Sequence, residues 1–182
     1  MSATNHRLRR ALLDDVAALE QLIQLSARVL GARDYDAGQI EAALLGTFGV
    51  DTQLVRDGTY FVTENDAGLT GCGGWGRRRT LFGGDAGGAR DAAELDPRVD
   101  AARIRAFFVH PDHARQGIGS AILASCESDA AACGFARAEL MATLPGVRLY
   151  AARGYAAGEP IEWPLGDYRT ITFVPMTKQL GS

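Results

Sequence analysis

The sequence predicts a mixed α/β, α+β-type domain in which helices pack on a mixed sheet. Three observations predict it. Apolar residues switch along the chain between helical spacing and strand-like runs. Residues 59–76 read as an early antiparallel hairpin. Residues 103–142 read as strand, helix, strand, a unit that packs a helix on the sheet it joins. The element order is β-α-α-β-β-(loop)-β-α-β-α-β-β.

"HRLRRALLDDVAALEQLIQLSARVL" reads as a short strand and then a helix. Asp14 is a candidate N-cap, and Val16, Leu19, Leu22 and Ile23 recur at helical spacing. "DAGQIEAALLG", residues 36–46, is a second short helix ended by Gly46. In "TYFVTENDAGLTGCGGWG" the turn Glu64–Gly68 joins an apolar run to a glycine-rich strand. Residues 77–102 hold four glycines, a proline and many charges, and read as a long excursion. "RIRAFFVHP", residues 103–111, is the clearest strand. Ile104, Ala106 and Phe108 alternate there with Arg103, Arg105 and Phe107, and Pro111 ends it. Residues 116–134 form a helix with Ile118, Ile122 and Cys126 on one face and Gly134 as its stop. "ARAELMA" is a strand, "GVRLYAARG" a short helix closed by Gly154, and two segments near Tyr155–Trp163 and Arg169–Thr177 complete the sheet.

Composition narrows the function. The 182 residues suit one domain, spanning 1–182 with its core at about 6–180. A net charge of −3 gives no support to nucleic-acid binding. No apolar run is long enough for a membrane span, and "MSATNHRLRR" lacks a signal-peptide core, so neither membrane nor export is expected. Cys72, Cys126 and Cys133 form no CxxC and read as reduced thiols of a cytoplasmic protein.

"HPDHARQGIGSAIL", residues 110–123, carries the chemistry. A strand runs into a glycine turn and then into a helix start. Free N–H groups and the helix dipole favour an anion there, and Arg115 adds positive charge. It is not a nucleotide P-loop, because the only lysine is Lys178. "GCGGWG", Gly71–Gly76, matches a dinucleotide fingerprint as a string, but "RRRT" follows where a helix is required. His110 and His113 have no third ligand and are separated by Pro111, so no metal site is expected.

With "LYAARGY" at residues 149–155, the stretch "FFVHPDHARQGIGSAIL" resembles the GNAT superfamily of acyl-CoA N-acyltransferases. The element order fits that fold over about the whole chain. The resemblance implies a central, mostly antiparallel mixed sheet flanked by helices. It also implies transfer of an acetyl group from acetyl-CoA to a small-molecule or peptide amine. The pyrophosphate would lie on the N–H groups of Arg115, Gln116, Gly117, Ile118, Gly119 and Ser120. The strand ending at Val109 would splay from its neighbour and pair with the pantetheine arm through Phe107 and Val109. Tyr150 would protonate the leaving thiolate. Ala114 stands where the family most often has Arg or Gln, and a backbone cradle does not need that side chain.

The general base stays open between His110, Glu139 and a water. Arg77–Arg79 could meet a phosphate or an acidic acceptor, or be a solvated loop. Asp51, Tyr60 and Trp75 lie near where this family shapes its acceptor site; Trp75 and Phe82 could line an acceptor pocket or pack in the core, and Cys72 could face the acyl group or be a buried thiol. "TITFVPM", residues 170–176, alternates like an edge strand through which a homodimer could pair. The alternative function is a non-catalytic acyl-CoA-binding sensor or partner module.

Overall fold

The computed structural model describes residues 6–87 and 91–181. The strands are β1 (Arg7–Arg10), β2 (Tyr60–Asn65), β3 (Gly68–Gly76), β4 (Ala102–Val109), β5 (Arg137–Thr143), β6 (Ala156–Ala157), β7 (Ile161–Gly166) and β8 (Arg169–Gln179). The α-helices are α1 (Val16–Leu30), α2 (Ala37–Leu44), α3 (Thr52–Arg56), α4 (Ile118–Ala132) and α5 (Val147–Ala152). The eight strands form one sheet in the order β1-β2-β3-β4-β5-β8-β6, with β7 also on β8.

Every strand pairing is antiparallel except β4 with β5. That parallel contact comprises only Ala102 with Ala138 and Arg103 with Glu139. Beyond it β4 continues to pair β3, β5 continues to pair β8, and the two diverge. The sheet is thus two antiparallel half-sheets joined along a short seam.

Each face of the sheet carries a core. On one, Ile118, Ile122, Leu123 and Cys126 of α4 pack on Trp75, Ile104 and Leu140. On the other, Leu19, Leu22 and Ile23 of α1 meet Tyr60, Val62 and Phe173. The helical spacing of both sets builds one apolar stripe per helix, which is why each lies flat on the sheet. Gly71 lets α4 come close, since a Cβ there would collide with Ile118. The glycine string of β3 is therefore a packing surface and not a dinucleotide turn.

Several expectations are corrected. The carboxylate at the start of α1 is Asp15, which accepts the Leu12 N–H at 2.7 Å and also pairs with Arg9. Helix α3 was not expected; Asp51 caps it by accepting the Gln53 N–H at 3.1 Å. The alternation along β4 holds only to Arg105. Ala106 has φ +56° and a bulge breaks the register against β3. Ile104, Phe107 and Val109 then share the α4 face, and Ala106 and Phe108 the other. Strand β8 is not an edge, because β5 flanks one side and β6 and β7 the other.

The described parts of the excursion after β3 are also more ordered than its composition implies; residues 88–90 lie outside the described residues. Residues 77–80 pair back on 91–95 through Leu95 N–H to Arg77 O (2.8 Å), Arg79 N–H to Ala93 O (2.9 Å) and Thr80 N–H to Asp91 O (3.1 Å). Its turn docks on the α2–α3 connection. Gly84 donates to Gly46 O at 3.1 Å and Asp85 to Val50 O at 2.8 Å. Glycine makes this contact possible, since a Cβ on Gly84 would lie 2.8 Å from Gly49 Cα.

Candidate active site

The seam opens where the sequence places its motifs. His110 donates its N–H to the Thr70 carbonyl at 2.9 Å, toward β3. By strand alternation, Phe107 and Val109 present theirs to the open side of β4. Beyond Arg103 that side has no pairing partner in β5. Phe107 lies flat over β3, where a Cβ on Gly73 would stand 2.6 Å from its ring, and meets Tyr150 edge-on at 6.0 Å between centroids.

Below the open edge, Pro111–His113 makes one 3-10 turn, and Arg115 and Gly117 take positive φ (66° and 82°). Gly117 is the N-cap of α4, and a Cβ there would meet nothing within 4 Å, so main chain lies bare at this point. The first helical bond is donated by Ala121 to Gly117 O at 3.0 Å, leaving the N–H groups ahead of it without a helical acceptor. No acidic residue stands in the first turn of α4. Arg153, at the end of α5, donates to Ser120 Oγ at 3.1 Å and adds a cation beside the cradle. Sequence reasoning missed Arg153 although it lies inside the "LYAARGY" stretch. The side chain of Gln116 is engaged elsewhere, by His6 at 3.1 Å and the Asp112 carbonyl at 3.3 Å.

Two cavities meet in the seam. One, of about 180 Å³, runs between the end of α1 and the start of α4 and is lined by Val109, Gly119 and Leu149. The other, of about 60 Å³, lies on the far side and is lined by Phe48, Phe82, Arg105 and Met141. Both reach Phe48, Phe107, Phe108, Thr143 and Tyr150. A wider cavity of about 600 Å³ continues the second to the surface, sharing Thr47, Leu81, Phe82 and Gly83. Tyr35, also unanticipated, braces the opening. Its hydroxyl donates to Thr172 O and accepts from Leu144 N–H, each at 2.8 Å.

Tyr150 is buried, and desolvation pushes its phenol up from the ordinary tyrosine value. It therefore stays protonated near neutral pH. The other candidates separate. Glu139 is ion-paired with Arg103 at the closed end of the seam and lines a different cavity, beside Lys178. His110 turns its Nδ1 to the Asp112 N–H at 3.2 Å and meets the His113 ring at a tilt, 5.5 Å between centroids. Neither lines the cavities that reach Tyr150. Among the described residues no group of three or more His, Cys, Asp or Glu is arranged to hold a metal, and no helix is long and apolar enough to cross a membrane.

The remaining watched residues sort into wall and support. Trp75 is core, its indole N–H donating to Asp129 of α4 at 2.9 Å. Cys72 is buried against the Ala106 carbonyl, and burial pushes its thiol up to about 12. The Tyr60 hydroxyl donates to the same carbonyl at 3.0 Å. Asp51 and Arg105 form a buried ion pair at 2.7 Å, and Arg105 also donates to Gly83 O at 2.7 Å. The pair thus ties the bulged strand to the docked turn of the excursion. Arg78 is held by Asp57 at 2.9 Å and Arg77 faces Glu94 at 4.0 Å, so neither reaches the α4 cradle. Arg79 lines the outer cavity.

The description of the acetyltransferase (GNAT) domain matches residues 56–157. No curated protein matches the chain by sequence. Among solved structures, it is similar to the GCN5-related N-acetyltransferase of Rhodopseudomonas palustris, with a TM-score of 0.71 at 21% identity over 99% of each chain. The PaiA N-acetyltransferase of Thermoplasma acidophilum in complex with coenzyme A gives 0.64 at 13% identity, over 96% of this chain and 99% of that one. A GNAT family acetyltransferase from Brucella melitensis in complex with acetyl-CoA gives 0.58 at 14%, over 98% and 90%.

Proposed function

Because the chain belongs to the GNAT acetyltransferase family, we propose that it transfers the acetyl group of acetyl-CoA to an amine by direct attack. One observation carries this reading. Two cavities, one on each side of the seam, converge on Tyr150 and on the unpaired edge of β4. One can hold a donor and the other an acceptor at the same time, which direct transfer requires.

Acetyl-CoA fits the α4 side. The cradle of N–H groups from Arg115 to Ser120, open at Gly117, suits a pyrophosphate. The free edge at Phe107 and Val109 suits the amide groups of a pantetheine arm. The thioester supplies the activated acyl group. The amine nitrogen forms the C–N bond as the C–S bond breaks. The sulfur leaves with the electron pair and takes a proton, and the nitrogen gives one up. Tyr150 holds the proton for the sulfur, and the N–H groups of β4 face the developing oxyanion. Among the described residues neither cavity is lined by a His, Asp or Glu, which favours water as the acceptor of the amine's proton. The free thiols Cys72, Cys126 and Cys133 fit a reducing cytoplasm.

The test is thiol release from acetyl-CoA with a broad amine panel, alongside Tyr150→Phe. That variant should lower kcat by about 100-fold, within the usual range for a positioned acid, and leave the Kd for CoA unchanged. Because Tyr150 is raised, wild-type activity should show no falling limb up to about pH 10, the ordinary tyrosine pKa. Unchanged kcat in Tyr150→Phe removes the acid assignment. Thiol release from no amine, with CoA still bound, favours a binding module.

A further inference from the structure

The acceptor side of the seam carries information about what it accepts. Five aromatic rings run in contact from the surface to the bulge of β4. Trp163 meets Phe82 edge-on at 4.5 Å between centroids, and Phe82 meets Phe173 at 5.4 Å. Phe173 continues to Phe48 at 6.5 Å, and Phe48 to Phe108 at 5.8 Å. These rings come from five separate segments of the chain.

The two ends of this chain of rings differ in a way a plain core does not. Phe173 and Phe48 are buried, at 3% and 8% exposure. Trp163 is 38% exposed and neighbouring Leu45 79%, and both line the mouth of the outer cavity. Large apolar groups left in water at a cavity mouth mark a surface that a ligand covers.

Charge narrows the class further. Among the described residues the only charged side chain lining the inner cavity is Arg105, which is committed to Asp51 and the Gly83 carbonyl. Among the described residues no carboxylate lines that cavity, and the one that lines the outer cavity, Asp91, accepts the Ala93 N–H at 3.0 Å and shares that lining with Arg79, so a second ammonium group would be desolvated in the inner cavity without a counter-charge. A single amine is favoured instead. Aromatic faces attract the ammonium form on entry, and burial among them favours the neutral form, which is the nucleophile.

We infer that the acceptor is a monoamine on an aromatic body, its ring against Phe82 and Trp163 and its nitrogen beside Tyr150 and the β4 bulge. This rests on the N-acetyltransferase reading above and names its substrate class.

The experiment compares initial thiol release with tryptamine and phenethylamine against spermidine and lysine, in the wild type and in Trp163→Ala and Phe82→Ala. Aromatic monoamines should exceed spermidine by at least about tenfold in kcat/KM, on the scale of the apolar-pocket contacts involved. Trp163→Ala, at a half-exposed position, should raise the KM for tryptamine several-fold and leave the KM for acetyl-CoA within about twofold. Spermidine or lysine equal to or better than tryptamine overturns the class while sparing the transferase. An unchanged tryptamine KM in both variants also overturns it. Thiol release from no amine at all overturns the transferase reading, and this inference with it.

Discussion

The two halves of the cleft are made of different material. On the α4 side the working surface is main chain: N–H groups of a helix start and a strand edge without a partner. On the far side it is side chain, a row of aromatic rings braced by a buried ion pair. Main-chain donors are the same whatever residue carries them, so the first half reads a constant group. Side chains differ position by position, so the second half sets selectivity. The proposed division of labour follows: a common donor on one side and a particular amine on the other.

The largest expected effect falls on the side-chain half. Asp51→Ala removes a buried carboxylate from beside the Arg105 guanidinium. The loss should be about 3–5 kcal/mol, which for a chain of this size lowers the Tm by roughly 10 °C. Thermal melts check it, and CoA should still raise the Tm of the variant. A fall of under about 3 °C would show that the pair does not brace the wall.

A smaller effect is expected in the main-chain half. In Gly71→Ala the new methyl group collides with Ile118 at the start of α4. Overpacking should cost about 1–3 kcal/mol and weaken CoA binding more than acceptor binding. Calorimetric titration of CoA beside the acceptor KM separates the two. An equal loss on both sides would erase the contrast.

The smallest effect is electrostatic. Arg153→Ala removes an exposed cation hydrogen-bonded to Ser120. CoA affinity should fall roughly three- to tenfold at low salt, with the difference shrinking as salt screens it, and the Tm should not move. A loss independent of salt would mean that Arg153 acts by packing.

The same contrast explains what could be read in the sequence. The cradle is contiguous, and its glycines and Pro111 announce a strand, a turn and a helix start within a dozen residues. Tyr150 follows in a second short motif, and the structure brings the two to one seam. The aromatic wall has no such signature, because Phe48, Phe82, Phe108, Trp163 and Phe173 meet only after folding. The bulge at Ala106 was invisible for another reason. Period-2 reading assumes an unbroken ladder, and nothing in "RAFF" announces a residue with positive φ. Strand β8 looked like an edge because alternation reports which faces a strand shows, not how many neighbours it has. Glu139 lies on the expected strand, but the strand meets β4 only at the closed end, where Arg103 takes its carboxylate.

The seam also divides the polypeptide itself. One half-sheet is drawn entirely from residues 7–109 and the other from residues 137–179, with α4 as the covalent link between them. Lengthening the turn of the excursion, or the β7–β8 hairpin, therefore shifts no strand across the seam. Such changes in length would rebuild the aromatic wall while the Gly117 cradle keeps its place. The architecture admits insertions on the side where selectivity is proposed to lie and resists them where the proposed shared donor would sit.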